Sequence, residues 1–273
     1  WRSRLKKSVL FGFNDHLIEV EEGRRTVANL MRDNGYATAC VGKWHLGLDL
    51  PKAPKGSDAM GGIDWKGKIK NGPSALGFDY FYGFSASLDM PPYIWIHNDR
   101  FVGECTVRKG FRRMGPAHKD FWDYDVLPTI AKKSAEWVTA QAKAKKPFFL
   151  YMPLNAPHTP ISPSKKFQGK SGLGSYADFV METDWAIGEV VKAVDAAGLS
   201  EDTLIIVTAD NGCSPAAKKK GNGKLDITFS SPTLGPIKPD SHYPSIGYRG
   251  HKADIYEGGH RVPFIARWMG KVK

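Results

Sequence analysis

The sequence predicts an α/β fold in which helices cover both faces of a mostly parallel sheet. Segments with a helical spacing of apolar residues alternate with short, uninterrupted apolar runs of strand length. Uninterrupted runs of this kind are typical of strands that are buried on both faces. With 273 residues, of which 41% are hydrophobic, the chain is long enough to bury a large core. No apolar run is long enough to span a membrane as a helix.

Helices and strands are predicted in alternation along most of the chain. The helices are predicted at residues 26–34, 125–143 and 176–197, and the strands at residues 36–41, 147–152, 203–209 and 263–268. Thr26 can cap the first helix and Gly35 closes it, while Gly198 ends the third. Residues 48–75, 76–105 and 213–247 show no clear period, so no regular element is assigned to them.

Polar side chains follow three of the predicted strands at the point where each strand ends. They are Lys43 and His45 after the first, His158 after the second, and Asp210 with Asn211 after the third. Ligands of open α/β sheets bind beyond the carboxyl ends of the strands. We therefore predict a functional site that these five residues share.

Asp210 and Asn211 offer one charged and one neutral oxygen ligand in adjacent positions. Hard cations such as Ca²⁺ and Mg²⁺ prefer oxygen ligands of this kind, so the pair is a candidate metal site. The alternative is an Asp-Asn-Gly turn whose side chains satisfy their own backbone.

Lys43 and His45 alternate with Trp44, so an extended segment would place both on one side. A lysine can neutralise charge that develops on a transferred anion, and a histidine can protonate a leaving oxygen. The alternatives are a surface lysine and a packed histidine. Likewise, His158 between its prolines could be a structural loop residue, and Lys252 could be a solvated charge.

The chain is basic, with 39 Lys and Arg against 28 Asp and Glu and a formal charge of +11. This favours an anionic partner, although a solvated basic surface explains the charge equally well. No zinc-finger spacing and no interleaved aromatic pattern is present, so nucleic acid is not favoured. Cys40, Cys105 and Cys213 form no spaced pattern that would indicate a disulfide framework or a zinc site.

A long motif then identifies a resemblance to a known family. The segment Gly-Tyr-Ala-Thr-Ala-Cys-Val-Gly-Lys-Trp-His-Leu-Gly at 35–47 resembles the second signature of the type I, formylglycine-dependent sulfatases. Further blocks follow in the family's order at 77–83, 148–151, 155–160, 208–212, 249–252 and 257–263. The resemblance covers about residues 24–273 and implies an alkaline-phosphatase-like sulfatase core.

The resemblance implies a role for each candidate residue. Asp210 and Asn211 would bind Ca²⁺, with Mg²⁺ as the alternative, and Lys43 and Lys252 would bind the sulfate oxygens. His158 would protonate the leaving alkoxide or bind the ester oxygen. The implied reaction is hydrolysis of a sulfate ester on a carbohydrate or an aryl group.

Two further residues and a partner enzyme are implied in the same way. His45 would orient or deprotonate the formylglycine hydrate and help to eliminate sulfate, and Ser87 would contact the substrate. The formylglycine is made from a cysteine by a formylglycine-generating or anaerobic sulfatase-maturing enzyme. Members of the family are commonly secreted, periplasmic or lysosomal, which leaves the compartment open.

The chain also departs from the family pattern. The Asp-Asp pair and the Cys-x-Pro-Ser-Arg motif are absent from it, and Cys-Ser-Pro-Ala-Ala at 213–217 resembles the latter only by coincidence, with Ala217 in place of Arg. We therefore interpret residues 1–273 as a partial catalytic domain, without the nucleophile strand and the C-terminal subdomain. By itself this chain is predicted to be inactive and poorly soluble.

Two other functions are consistent with the residues. A phosphodiesterase or phosphatase of the same superfamily would use a Ser or Thr nucleophile and more metal ligands. A non-catalytic binder of sulfated polymers would use the basic surface alone. The Gly-Lys-Trp-His-Leu-Gly stretch at 42–47 favours the sulfatase.

Overall fold

The computed structural model describes residues 25–213 and 248–272, in two compact units. The first comprises the chain up to Asp123 together with Lys143–Asn155, and the second comprises Tyr124–Ala142 and the chain from Ala156 onward. Residues 214–247 of the loop predicted at 213–247, with the end of the Cys-Ser-Pro-Ala-Ala segment, lie outside the described residues. None of the helices within them is both long and apolar enough to cross a membrane.

The described residues contain thirteen helices and strands, which confirm the predicted α/β class. In chain order they are α1 (Val27–Asp33), β1 (Ala37–Lys43), β2 (Tyr80–Phe84), β3 (Ile96–His97), β4 (Arg100–Phe101), β5 (Val107–Gly110), β6 (Met114–Ala117), α2 (Val126–Ala144), β7 (Phe148–Tyr151), α3 (Ser175–Ala196), β8 (Ile205–Thr208), α4 (Glu257–His260) and β9 (Phe264–Arg267). Short 3₁₀ turns lie at Met60–Gly62, Pro73–Leu76 and Asp123–Asp125. Every predicted helix and strand is present, with bounds shifted by at most two residues.

A five-stranded mixed sheet organises the first unit, in the order β4-β3-β2-β1-β7. Strand β1 pairs in parallel with both β2 and β7, whereas β3 and β4 extend the sheet by antiparallel pairing. The carboxyl ends of β1, β2 and β7 therefore lie at one edge. Lys43, the last residue of β1, is opposite Phe84, the last residue of β2.

The segment before β1 is ordered by side chains that bond to backbone groups. Thr26 and Asn29 form a reciprocal capping box at the start of α1, and the Thr26 hydroxyl also donates to the Leu76 carbonyl (2.6 Å). Thr38 of β1 donates its hydroxyl to the Gly77 carbonyl (2.7 Å). These bonds join α1 and β1 to the chain that enters β2.

The core of the first unit contains residues that were assigned to no regular element. Leu48, Ile63, Trp65 and Ile69 are buried with the β-strand residues in one cluster, although residues 48–75 were predicted as a loop. The sequence predicts no element at residues 76–105, yet they form three strands of the sheet. The periodic signal is missing because residues 48–75 are irregular chain packed in the core, and because two of the three strands have only two residues each.

The second unit contains helices α2 and α3 and an antiparallel ribbon of β8 and β9. The predicted apolar face of α3 is correct at Tyr176, Phe179 and Val194, but the helix also buries the carboxylates of Asp178 and Glu182. Both carboxylates accept backbone N–H groups from the loop that precedes the helix. They bind and order this loop, a use of acidic residues that the apolar pattern does not reveal.

The prediction that the later strands are buried on both faces is wrong. Ile206 in β8 is 51% exposed and Tyr151 in β7 is 45% exposed. Among the described residues, β8 pairs only with β9, and β7 pairs only with β1. Apolar composition therefore identified these segments as strands correctly but overstated how much of each is covered.

Candidate functional site

The first part of the candidate site is the end of β1, in the first unit. Lys43 and His45 are half-buried and flank Trp44, which is 5% exposed and donates its indole N–H to the Gly47 carbonyl (2.7 Å). The amides of Trp44 and His45 donate to the carbonyls of Phe84 and Ser85 (3.2 and 3.1 Å). The buried indole thus anchors the turn that presents the lysine and the histidine.

The prediction that Lys43 and His45 share one extended segment is wrong at His45. Its φ angle is +52°, which places it in the left-handed region and not in a strand. Simple alternation therefore does not set the direction of its side chain. The backbone turns at His45 instead, immediately after the carboxyl end of β1.

Two glycines allow the strands at this edge to approach each other closely. A Cβ atom on Gly42 would lie 2.1 Å from the Pro153 carbonyl oxygen, and one on Gly83 would lie 1.9 Å from the Gly42 carbonyl oxygen. The Lys43 amide donates to the same Pro153 carbonyl (2.8 Å). A side chain at position 42 would push away Pro153, and one at position 83 would push β1 and β2 apart, so both positions require glycine.

The chain that leaves β2 passes beside this edge. Ser85 and Ser87 are each 2% exposed, and the Ser87 carbonyl accepts the Met90 amide (2.9 Å) in a tight turn. Ser87, the candidate substrate contact, therefore lies two residues beyond the segment that is bonded to His45. The structure places Ser87, Lys43 and His45 in the same unit.

The remaining candidates lie in the second unit, beginning with His158. The ring Nδ1 of His158 lies 2.6 Å from the Thr159 carbonyl oxygen. Since a carbonyl oxygen only accepts hydrogen bonds, this contact favours the tautomer with its proton on Nδ1. In that tautomer Nε2 is the basic nitrogen.

Asp210 and Asn211 lie in the bend after β8, where Asp210 is exposed. The Asn211 side-chain nitrogen donates to the Gly212 carbonyl (3.1 Å), so the amide oxygen is oriented away from this bond. The bend is therefore partly the self-satisfying turn that the sequence left open. An exposed carboxylate and an amide oxygen nevertheless remain as adjacent acceptors.

Backbone hydrogen bonds hold the segment of Lys252 against this bend. The Gly212 amide donates to the Gly259 carbonyl (2.8 Å), and the Lys252 amide donates to the Cys213 carbonyl (2.9 Å). A Cβ atom on Gly212 would lie 1.8 Å from the Gly258 carbonyl oxygen, so the two segments are in direct backbone contact. The tertiary structure thus brings Asp210, Asn211 and Lys252 together from positions about forty residues apart in the sequence.

The side-chain oxygens of Asp210 and Asn211 fit part of a hard-cation site. Across residues 25–213 and 248–272, no group of three or more His, Cys, Asp or Glu side chains is placed to hold a metal ion. Ca²⁺ takes roughly six to eight oxygen ligands. Asp210 and Asn211 could therefore supply two ligands of the kind that Ca²⁺ prefers, but not a complete coordination sphere.

The cysteines in the described residues are free thiols, and two of them are in the core. Burial raises the pKa of the Cys105 thiol to about 12, and burial also raises that of Cys40. Neither thiol is ionised at neutral pH, so neither is an activated nucleophile.

An ion pair next to the Ser87 turn was missed by the sequence reasoning. Asp89 is 7% exposed, and its carboxylate accepts a hydrogen bond from Arg113 (2.8 Å). The available signal was the alternation of polar residues at 85, 87 and 89, directly after the end of a strand. Arg113 itself gave no signal, because it is one of many basic residues and only the fold brings it to Asp89.

Comparison with known proteins gives a consistent family assignment. The sulfatase family model matches residues 7–273. An N-acetylgalactosamine-6-O-sulfatase of Bacteroides thetaiotaomicron is 32% identical over 288 residues, covering 91% of this chain and 52% of that protein. The human steryl-sulfatase is 27% identical over 307 residues, covering 89% of this chain and 46% of that protein.

A solved structure extends the likeness to the fold. A Bacteroides thetaiotaomicron protein, from work on the metabolism of multiple glycosaminoglycans, superposes with a TM-score of 0.75 at 31% identity. The match covers 97% of this chain and 58% of that chain. The chain spans about half the length of the curated relatives that it matches.

Proposed function

Because the chain belongs to the sulfatase family, we propose that it forms part of the catalytic domain of a sulfuric ester hydrolase acting on a sulfated glycan. The substrate class is supported by the similarity to an N-acetylgalactosamine-6-O-sulfatase. Fold alone does not establish the reaction, so the proposal depends on the residues of the site.

One observation carries the proposal. Backbone hydrogen bonds from Gly212 and Lys252 hold the segment of Lys252 against the bend that carries Asp210 and Asn211. Asp210 and Asn211 would hold a hard cation, and the cation and the Lys252 ammonium would both supply positive charge to a sulfate group. An ordinary Asp-Asn-Gly turn has no need of a lysine segment bonded along it.

The proposed roles follow from the chemistry of each side chain. Lys43 and Lys252 would neutralise charge on the sulfate oxygens, and His158, with its basic nitrogen at Nε2, would hold the proton that the leaving alkoxide takes. His45 would exchange a proton with the nucleophile. Ca²⁺ bound with Asp210 and Asn211 would supply electrostatic stabilisation of the sulfate. The convergence of these residues on one sulfate group is a prediction.

We further propose that the nucleophile is a formylglycine supplied from outside these residues. Residues 1–273 contain no Cys-x-Pro-Ser-Arg sequence from which a maturing enzyme could make it. Without a nucleophile, binding and proton transfer alone produce no covalent intermediate. The 273-residue chain by itself is therefore expected to hydrolyse no aryl sulfate, and measurable turnover by this chain would contradict the placement of the nucleophile.

The activity is tested with the full-length protein, co-expressed with a sulfatase-maturing enzyme. Sulfate release from 6-sulfated N-acetylgalactosamine is measured for the wild type and for Lys252→Ala. Removal of a charge that acts on the transition state is expected to lower kcat/KM by about 100-fold. Lys271→Ala, at an exposed lysine of the same unit, is the matched control and should retain full activity.

Two results would overturn the proposal. Full activity of Lys252→Ala, with an unchanged melting temperature, would remove Lys252 from the site. Hydrolysis of phosphate esters in place of sulfate esters by the wild type would favour a phosphoesterase of the same superfamily.

A further inference from the structure

A row of buried polar residues follows the carboxyl end of β2. Ser85, Ser87 and Asp89 alternate along the chain and are 2%, 2% and 7% exposed. The Ser85 hydroxyl oxygen is buried and has no hydrogen-bond partner among the described residues. Buried polar groups are costly unless they are paired, so such a row at the edge of a sheet indicates a site more than a core.

This row lies beside the end of β1 and within the same unit. The carbonyls of Phe84 and Ser85 accept the amides of Trp44 and His45. Asp89 then lies four residues beyond Ser85, in the tight turn closed by the Ser87 carbonyl and the Met90 amide (2.9 Å). A group bound at Asp89 would therefore lie a few residues along the chain from the backbone that bonds to Trp44 and His45.

The Asp89 carboxylate is paired with an arginine whose position is fixed by the fold. Arg113 lies in the turn of the β5–β6 hairpin, and its Nη1 donates both to the Asp89 carboxylate (2.8 Å) and to the Asp89 carbonyl (3.2 Å). The Tyr93 hydroxyl donates to the Arg113 carbonyl (2.6 Å). Burial, followed by the Asp89 charge, raises the pKa of Tyr93, so this hydroxyl keeps its proton at neutral pH.

Arg113 of this ion pair has N–H donors that are not used within the described residues. The hydrogen bonds of the Arg113 side chain within the described residues all use Nη1, which leaves Nε and Nη2 available, and the side chain is 44% exposed. An ion pair with a purely structural role would hold the β5–β6 hairpin in place equally well. It would not require a buried carboxylate beside a half-exposed guanidinium in the chain that follows the segment bonded to Trp44 and His45.

We propose that Asp89 and Arg113 form a subsite that binds hydroxyl groups of the sugar ring carrying the sulfate ester. This inference rests on the proposed function. The carboxylate accepts from one hydroxyl and the guanidinium donates to its neighbour, a complementary arrangement for two adjacent hydroxyls. Because the two charges of the pair cancel, the subsite favours neutral hydroxyls over a second anionic group.

The test compares two substrates with the full-length matured protein. One is 6-sulfated N-acetylgalactosamine, and the other is para-nitrophenyl sulfate, which carries the ester but no sugar hydroxyls. Arg113→Gln is expected to lower kcat/KM on the sulfated sugar by about 10- to 100-fold, the loss typical of charge-assisted hydrogen bonds. The same variant should hydrolyse the aryl sulfate at the wild-type rate.

Control variants separate recognition from folding. Arg108→Gln, at an exposed arginine on the same hairpin, should leave both activities unchanged. Asp89→Asn keeps the shape of the side chain and should show the same substrate dependence as Arg113→Gln, with a melting temperature measured in parallel. A parallel loss on both substrates would assign the pair to folding or catalysis and would overturn the subsite.

Two further results separate failure of the subsite from failure of the proposed function. Unchanged activity of Arg113→Gln on the sulfated sugar would overturn the subsite while leaving the proposed function intact. A wild-type protein that hydrolyses neither sulfate ester would overturn the proposed function, and the subsite with it.

Discussion

Strands β1 and β8 are both rich in apolar residues but have very different surroundings. In β1 the residues Ala39, Cys40 and Val41 are fully buried, whereas Ile206 in β8 is 51% exposed. Strand β1 has a parallel partner on each side, while among the described residues β8 has only β9. An apolar run therefore identifies a strand, but the number of its neighbours decides how much stability its side chains contribute.

The largest effect is expected where the β1 and β2 backbones meet. Gly83→Ala places a Cβ atom 1.9 Å from the Gly42 carbonyl oxygen, so the central pair of the sheet must separate. We expect a loss of about 4 kcal/mol or more in the free energy of unfolding, measured by urea denaturation. The matched control is Gly188→Ala in α3, where a Cβ atom meets nothing within 4 Å.

The control should change stability in the opposite direction. Replacing a helical glycine in open space with alanine raises the free energy of unfolding by about 0.5–1 kcal/mol, because the unfolded chain loses conformational freedom. Equal effects of the two substitutions would show that the close approach at Gly83 does not limit the sheet.

The next largest effect is expected for a buried side chain of the five-stranded sheet, compared with an exposed side chain of β8. Phe81, in β2, is fully buried and packs edge-on against Trp44, with ring centroids 6.5 Å apart. Phe81→Ala should cost about 3–5 kcal/mol, and Ile206→Ala under about 1 kcal/mol, because only the first leaves a cavity. Thermal and urea unfolding of both variants measure the difference. A cost for Ile206→Ala as large as for Phe81→Ala would mean that β8 is covered in the folded protein.

A smaller effect concerns the buried carboxylate of Glu182 in the second unit. Its side chain is fully buried and accepts the Ser164 amide (2.8 Å), and burial raises its pKa above the ordinary value of 4.5. The bonds from Ser164 and the charge of Lys166 oppose this shift, while the charge of Asp125 adds to it. The folded state therefore binds the proton more tightly than the unfolded state.

The sign of the pH dependence follows from this shift. The contribution of the protonated carboxyl is fully present below pH 4.5 and is lost as the pH rises through the raised pKa of the folded state. Glu182→Gln should remove this part of the decline in unfolding free energy with rising pH. Glu136→Gln, at an exposed carboxylate of α2, controls for the loss of a charge. Identical pH profiles of wild type and Glu182→Gln would contradict the shift.

Prediction from sequence succeeded where local residues decide the structure. Helix α1 begins at its predicted cap, Thr26, and ends next to Gly35, because capping and a positive φ are local properties. It failed at β3 and β4, which have two residues each and form because β3 pairs with β2 and β4 pairs with β3. It also failed at His45, whose positive φ depends on the turn around the buried Trp44.

For the site, the sequence by itself determined the chemical inventory and its order. The lysines, histidines and oxygen ligands were readable from their positions after predicted strands, and their sharing of one site stays a prediction, since among the described residues β8 pairs only with β9. Only the tertiary structure decided that Lys252 is bonded beside Asp210 and Asn211, and that Arg113 meets Asp89. Contacts between residues distant in the chain depend on packing and hydrogen bonds that close long loops, and no local pattern in the sequence encodes them.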